Sequence, residues 1–265
     1  MKLTTVLEKL QYTTIRIETR SDDGSYSDGT AFIYEYATQD NTYPFLITAK
    51  HLISDSAEGR ITLLQGQNRQ PISGKGYTLD IDSFSKLWFS HPDESHNIAV
   101  TPFVPFVKHV ENSGISIYFQ SVNENTVVKS ESAESIKIGD EVVYVGYPEN
   151  CWDRKTLLPV YRRGMLSSSY GSVYQGKKQV LLDSTVLRGS SGSPVFRKTD
   201  SIDTTVDGQL LGVLTNQPKA IHDDSVDSKE TLIQDSTIET PMGLVIKIDV
   251  AVEAIVAYLK EKGFI

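Results

Sequence analysis

Residues 188–194 read RGSSGSP and set one hydroxyl, Ser191, between Gly189 and Gly192. Glycines let the chain turn tightly, and such a turn brings backbone N–H groups beside the hydroxyl. That pattern suits a nucleophile with its own oxyanion hole, here the N–H groups of Gly189 and Ser191. A plain Gly-Ser turn between two strands is the alternative reading of the same residues. A serine hydroxyl attacks poorly unless a base takes its proton, and the chain has five histidines. His91 and His96 lie in a polar loop, HPDESHN, His109 in an irregular stretch and His222 in an acidic segment, so each reads as a solvated surface residue. His91 and His96 find no third ligand at metal-binding spacing. His51 differs, because it ends the apolar run FLITAK and precedes Leu52-Ile53, which gives it a fixed position. A satisfied structural histidine is the competing reading.

These groups must be held by short strands. TTIRIET (13–19), GTAFIYEY (29–36), YPFLITA (43–49), RITLLQG (60–66), ISIYFQSV (115–122), EVVYVGY (141–147), QVLLDSTV (179–186), SPVFRK (193–198), GQLLGVLT (208–215) and GLVIKI (243–248) are apolar or alternating. Most are bounded by turn-forming residues. Helical periodicity is clear over 249–263, with Asp249 as the expected N-cap and Gly263 as the stop; a short helix within 3–10 is a further candidate. Many short strands and one terminal helix predict a sandwich or barrels. Two long polar segments, 199–207 and 217–241, interrupt the strands. The second is a candidate lid or docking site for an activating partner, against the alternative of a solvated loop.

Composition narrows the partners. A formal net charge of −8 disfavours nucleic acid and anionic lipid. The single cysteine, Cys151, excludes an intrachain disulfide and favours a reducing, cytoplasmic compartment. No stretch of signal-peptide or membrane-spanning character is expected. Neither a metal nor another cofactor is called for.

GTAFIY, LITAKHLI, NIAV, GSSGSPVF and LLGVLT, in this order, resemble the trypsin-like (chymotrypsin-fold) serine peptidases. The separations of 46 residues from His51 to Asn97 and 94 from Asn97 to Ser191 are similar to that family's. The resemblance covers about residues 12–248, and GYPENCWDRKTLLPVYRRG (146–164) resembles the intracellular bacterial branch. It implies an all-β fold of two six-stranded antiparallel barrels, 1–125 and 126–248, followed by a C-terminal α-helix at 249–263. The whole chain, 1–265, would then be one peptidase domain with its site in the cleft. It also implies hydrolysis of peptide bonds in a protein or peptide substrate by Ser191 and His51.

One position departs from that family's pattern. The family places an aspartate just before the strand that NIAV resembles, and this chain has Asn97. The aspartate accepts from Nδ1–H of the histidine and leaves Nε2 free to take the serine proton. Asp93 and Glu94 cannot substitute without a slide of the strand. If the Asn97 carbonyl faces His51, the useful tautomer survives. If its NH₂ does, the ring proton moves to Nε2 and Ser191 loses its base. Three readings follow: a slow enzyme awaiting an activator, an inactive peptide-binding relative, or an introduced change in an active enzyme. The resemblance further places Thr215 where the family has a serine bonded to the acid, Thr185 at the base of the primary pocket, and Asn216 at its mouth. A threonine at the base implies a neutral or small polar side chain in the substrate, not Lys or Arg. Ser190 stands where zymogen-type relatives have an aspartate, so activation through that ion pair is not expected.

Overall fold

The computed structural model describes residues 6–129, 133–198, 209–215 and 242–265. A short helix, α1 (Val6–Leu10), leads into β1 (Thr14–Ser21), β2 (Tyr26–Ala37), β3 (Thr42–Thr48), β4 (Ser56–Gln67) and β5 (Gln70–Asp82). The short strands β6 (Phe89–Ser90), β7 (Ala99–Pro102) and β8 (Val122–Asn123) complete an eight-stranded sheet in the order β5-β4-β1-β2-β3-β7-β6, with β8 parallel to β2. Helix α2 (Val104–Glu111) follows β7.

The second half closes into a six-stranded barrel. Its strands are β9 (Glu141–Gly146), β10 (Val160–Leu166), β11 (Gln179–Asp183), β12 (Pro194–Arg197), β13 (Gln209–Thr215) and β14 (Met242–Lys247), ordered β10-β11-β14-β13-β12-β9. Helix α3 (Ile248–Glu261) ends the fold. The expected all-β architecture with a terminal helix is present, the first half forming a sheet whose path is open among the described residues.

Strand periodicity explains how the halves meet. Along β2, Ala31 and Ile33 enter a core within the first sheet, whereas Phe32 and Tyr34 enter a second cluster shared with the barrel and α3. Along β9, Val143 and Val145 join that shared cluster, while Val142 and Tyr144 fill the barrel. Alternation thus gives β2 and β9 two buried faces each, one inside its own half and one at the seam. Ala251, Ala254, Ile255 and Leu259 lay α3 across the seam, and apolar burial of this kind contributes roughly 25 cal/mol per Å².

Several local expectations change. Lys247, not Asp249, occupies the N-cap of α3, without a side-chain cap bond; Asp249 lies in the first turn, where its charge favours the helix dipole. Residues 115–122 form an isolated bridge at Ile117 and only the two-residue β8, not a full strand.

Candidate active site

The turn after β11 is fixed by its own glycines and by the first sheet. Gly189 and Gly192 have φ of +83° and +88°, a region that favours glycine. A Cβ on Gly189 would strike the Tyr147 carbonyl, and one on Gly192 the Thr30 carbonyl. Thr30, fully buried on β2, holds this turn with its polar groups. Its N–H donates to Ser191 O (2.9 Å), and its hydroxyl donates to Gly189 O (2.9 Å) and accepts from Tyr147 N–H (3.0 Å). Its carbonyl accepts from Thr48 Oγ1 at 2.7 Å, tying the turn to the end of β3. In the sequence, Thr30 stands at the start of the apolar run GTAFIY. A polar residue opening an otherwise apolar run was the available signal.

Peptide planarity sets the direction of the Gly189 N–H. Arg188 O accepts from Glu149 N–H at 2.8 Å, so this carbonyl points at the 147–149 segment. In a trans peptide the next N–H points the opposite way, and Gly189 N–H has no hydrogen-bond partner among the described residues. It is a free donor facing away from the loop that anchors it. Ser190 is 1% exposed and its hydroxyl is unpartnered among the described residues, so no buried ion pair underlies this turn. Ser191 is itself buried.

His51 sits in a short 3₁₀ turn, Lys50–Leu52, directly after β3. Gly192 packs against Thr48 of that strand, so the serine turn and the histidine turn are neighbours. Asn97 reaches His51 twice. Its Oδ1 accepts from the His51 backbone N–H at 2.9 Å, and its Nδ2 lies 2.8 Å from Nδ1 of the ring. A backbone N–H can only donate, so it claims the amide oxygen and turns the NH₂ to the ring. Nδ1 must then accept, and the ring proton resides on Nε2. Burial pushes the His51 pKa below its ordinary value, so the ring is neutral near pH 7. A bond from Asn97 would raise it only through the oxygen, which the backbone N–H already holds.

The remaining expected positions are dispersed. The Thr215 hydroxyl donates to Leu244 O at 3.2 Å and not to Asn97. Thr185 is exposed between buried Ser184 and Val186. Val186 fills the space that a side chain at position 243 would take, and packs in the barrel core with Leu182, Leu214 and Val245. Asn216 and the 217–241 segment lie outside the described residues, as does His222. Lys50, His51, Ser54, Asp55, Glu94, Ser95 and Asn97 line an open depression of about 430 Å³.

His91 and His96 depart from the solvated reading. His91 is 9% exposed, stacks edge-on against His96 (4.7 Å between ring centroids) and lies 3.5 Å from Glu253 of α3. Sequence neighbours could not announce that packing, because Glu253 arrives from the far end of the chain. No group of three metal-ligating side chains occurs among the described residues, and no described helix is long and apolar enough to cross a membrane.

The family model of the trypsin-like peptidase domain matches residues 29–202, more than half of the chain. Among solved structures, the chain is similar to the Rv3671c protease from M. tuberculosis in its active form, at 14% identity over 96% of this chain and 83% of that one, with a TM-score of 0.49. It is similar also to the thermostable serine protease AL20 from an extremophilic microorganism (11% identity, 92% and 95% covered, TM-score 0.49) and to HL collagenase (12%, 96% and 94%, 0.49). No curated protein sequence matches.

Proposed function

The chain belongs to the trypsin-like peptidase family, and from that membership we propose that it is a serine endopeptidase whose resting chemistry is held back by Asn97. Ser191 is the nucleophile, Gly189 and Ser191 supply the oxyanion donors, and His51 is the base. One observation carries the reading: the Asn97 oxygen is committed to the His51 N–H, so its NH₂ meets Nδ1. With the ring proton on Nε2, the resting base cannot take the serine proton. Activation requires a second tautomer, reached if Asn97 leaves the ring or if a carboxylate replaces it there. The 217–241 segment is the candidate dock for a partner that moves this geometry, and the compartment is cytoplasmic.

The side chain accepted before the scissile bond is neutral or small and polar, as a threonine at the pocket base implies. Thr185 lies at the base of that pocket and Asn216 at its mouth. The same amide donor also supports a second reading, a peptide-binding relative without turnover.

A fluorophosphonate probe separates the two. Slow labelling of the wild type, lost in Ser191→Ala and strongly accelerated in Asn97→Asp, is the expected result. No labelling of either the wild type or Asn97→Asp would leave only the binding module.

A further inference from the structure

The loop that carries Asn97 is shaped by a histidine outside the chemistry above. His91 N–H donates to Ile98 O at 3.1 Å and closes this loop, with Asn97 just inside the closure. The next turn depends on the His91 ring: Asp93 N–H donates to its Nδ1 at 3.0 Å. A backbone N–H can only donate, so Nδ1 must accept, and the ring proton sits on Nε2, 3.5 Å from Glu253 Oε2 of α3. Asp93 O lies 3.3 Å from the same Nδ1 and accepts His96 N–H at 3.1 Å, and His96 directly precedes Asn97. The His91 ring is buried, so an acceptor lost there is not readily replaced by water.

A proton on Nδ1 reverses this arrangement. Nδ1–H then opposes Asp93 N–H and turns to Asp93 O, the carbonyl on which the turn to His96 closes. We infer that His91 is a positioning residue for Asn97: with Nδ1 unprotonated it holds Asn97 against the His51 ring, and protonation of His91 lets Asn97 leave. The inference rests on the proposed function and names the regulation of its site, since departure of Asn97 is one route to the active tautomer. Asp93 and Glu253 favour the added charge. The His96 ring, 4.7 Å away, opposes it, as does Lys178, the residue before β11, which pairs with Glu253 at 2.6 Å and with Asp249 at 3.2 Å. From the other side Asn97 is held by Lys50 N–H on its carbonyl (3.2 Å) and by His51 N–H on Oδ1, the bonds that its departure must break.

His91→Asn supplies the test, because its amide oxygen can accept from Asp93 N–H and does not titrate. The side-chain NH₂ signals of Asn97 are followed by NMR in the full chain from about pH 8 to about pH 6, beside the fluorophosphonate labelling rate of Ser191. On acidification the wild-type signals should move well beyond the change seen in His91→Asn. Wild-type labelling should gain about fivefold to tenfold on that variant, the worth of one hydrogen bond. Both proteins keep His51 and His96, so the comparison isolates His91. His91→Phe offers no acceptor and should show at the higher pH the signals that the wild type shows at the lower. Identical pH responses in the wild type and His91→Asn overturn the inference, and so do wild-type signals in His91→Phe at the higher pH. If the inference falls in this way while Asn97→Asp accelerates labelling, the peptidase reading stands and this inference alone is lost. If the signals respond as expected but neither acid nor Asn97→Asp brings labelling, the peptidase reading falls and the positioning of Asn97 by His91 stands.

Discussion

Around Gly189 the backbone is committed: the Arg188 carbonyl is held by Glu149, the Gly189 and Ser191 carbonyls by Thr30, and the Gly189 N–H has no partner among the described residues. Around His51 the hydrogen bonds are equally short, yet they satisfy the wrong atom of the ring for taking a proton from serine. Both regions are well ordered by their contacts. On the proposed function they differ in whether order serves the transition state, which makes preorganisation a matter of polarity as much as of position. An amide has the outline of a carboxylate, and replaces one acceptor by a donor.

That contrast can be broken from either side. The largest effect should come from Asn97→Asp, which restores an acceptor opposite Nδ1 and should raise the labelling rate of Ser191 by about 10⁴, the size associated with this acid-to-amide change. Nitrogen NMR of the ring should show its proton shifting from Nε2 to Nδ1, and an unmoved proton would contradict the account of His51. Next, Gly189→Ala in that activated background should lower turnover by about 10² to 10³ through the oxyanion donor. The added Cβ collides with the Tyr147 carbonyl at a positive φ, so wild-type-like kcat would mean that the Gly189 N–H is not used.

Thr30→Val sharpens the comparison by touching only the finished region. It removes the hydroxyl bond to Gly189 O and leaves Tyr147 N–H unpaired in a fully buried place, a loss of about 1–3 kcal/mol measurable by urea unfolding. The smallest effect concerns pH. Burial lowers the His51 pKa in the folded chain from the ordinary 6.5, so the proton binds the unfolded chain better. This contribution to stability is whole above about pH 6.5 and declines as pH falls through that value toward the folded pKa. Melting curves of wild type and His51→Gln should therefore converge on acidification.

How much of this was legible in the sequence varied with the range of the forces involved. The serine turn could be read directly, because glycine freedom and turn chemistry are local. The pairing of His51 with Asn97 came from resemblance, yet the orientation of the amide did not, since it depends on a backbone N–H 46 residues away. Strand β5 escaped because two glycines and exposed polar residues blur its alternation. Helix α2 escaped because eight residues with an early proline give little periodicity. Thr185 is exposed whereas its neighbour Val186 turns into the barrel core, a facing that depends on residues distant in sequence.

Thr30 has a wider consequence. A single side chain of the first sheet touches, in the second half, both the Gly189 carbonyl and the N–H that starts the 147–149 segment holding the Arg188 carbonyl. On the proposed function, parting the sheet from the barrel would therefore disturb the nucleophile turn together with the seam. A chain whose halves had parted would then lack a formed site, and a loose fragment of it would carry no stray proteolysis.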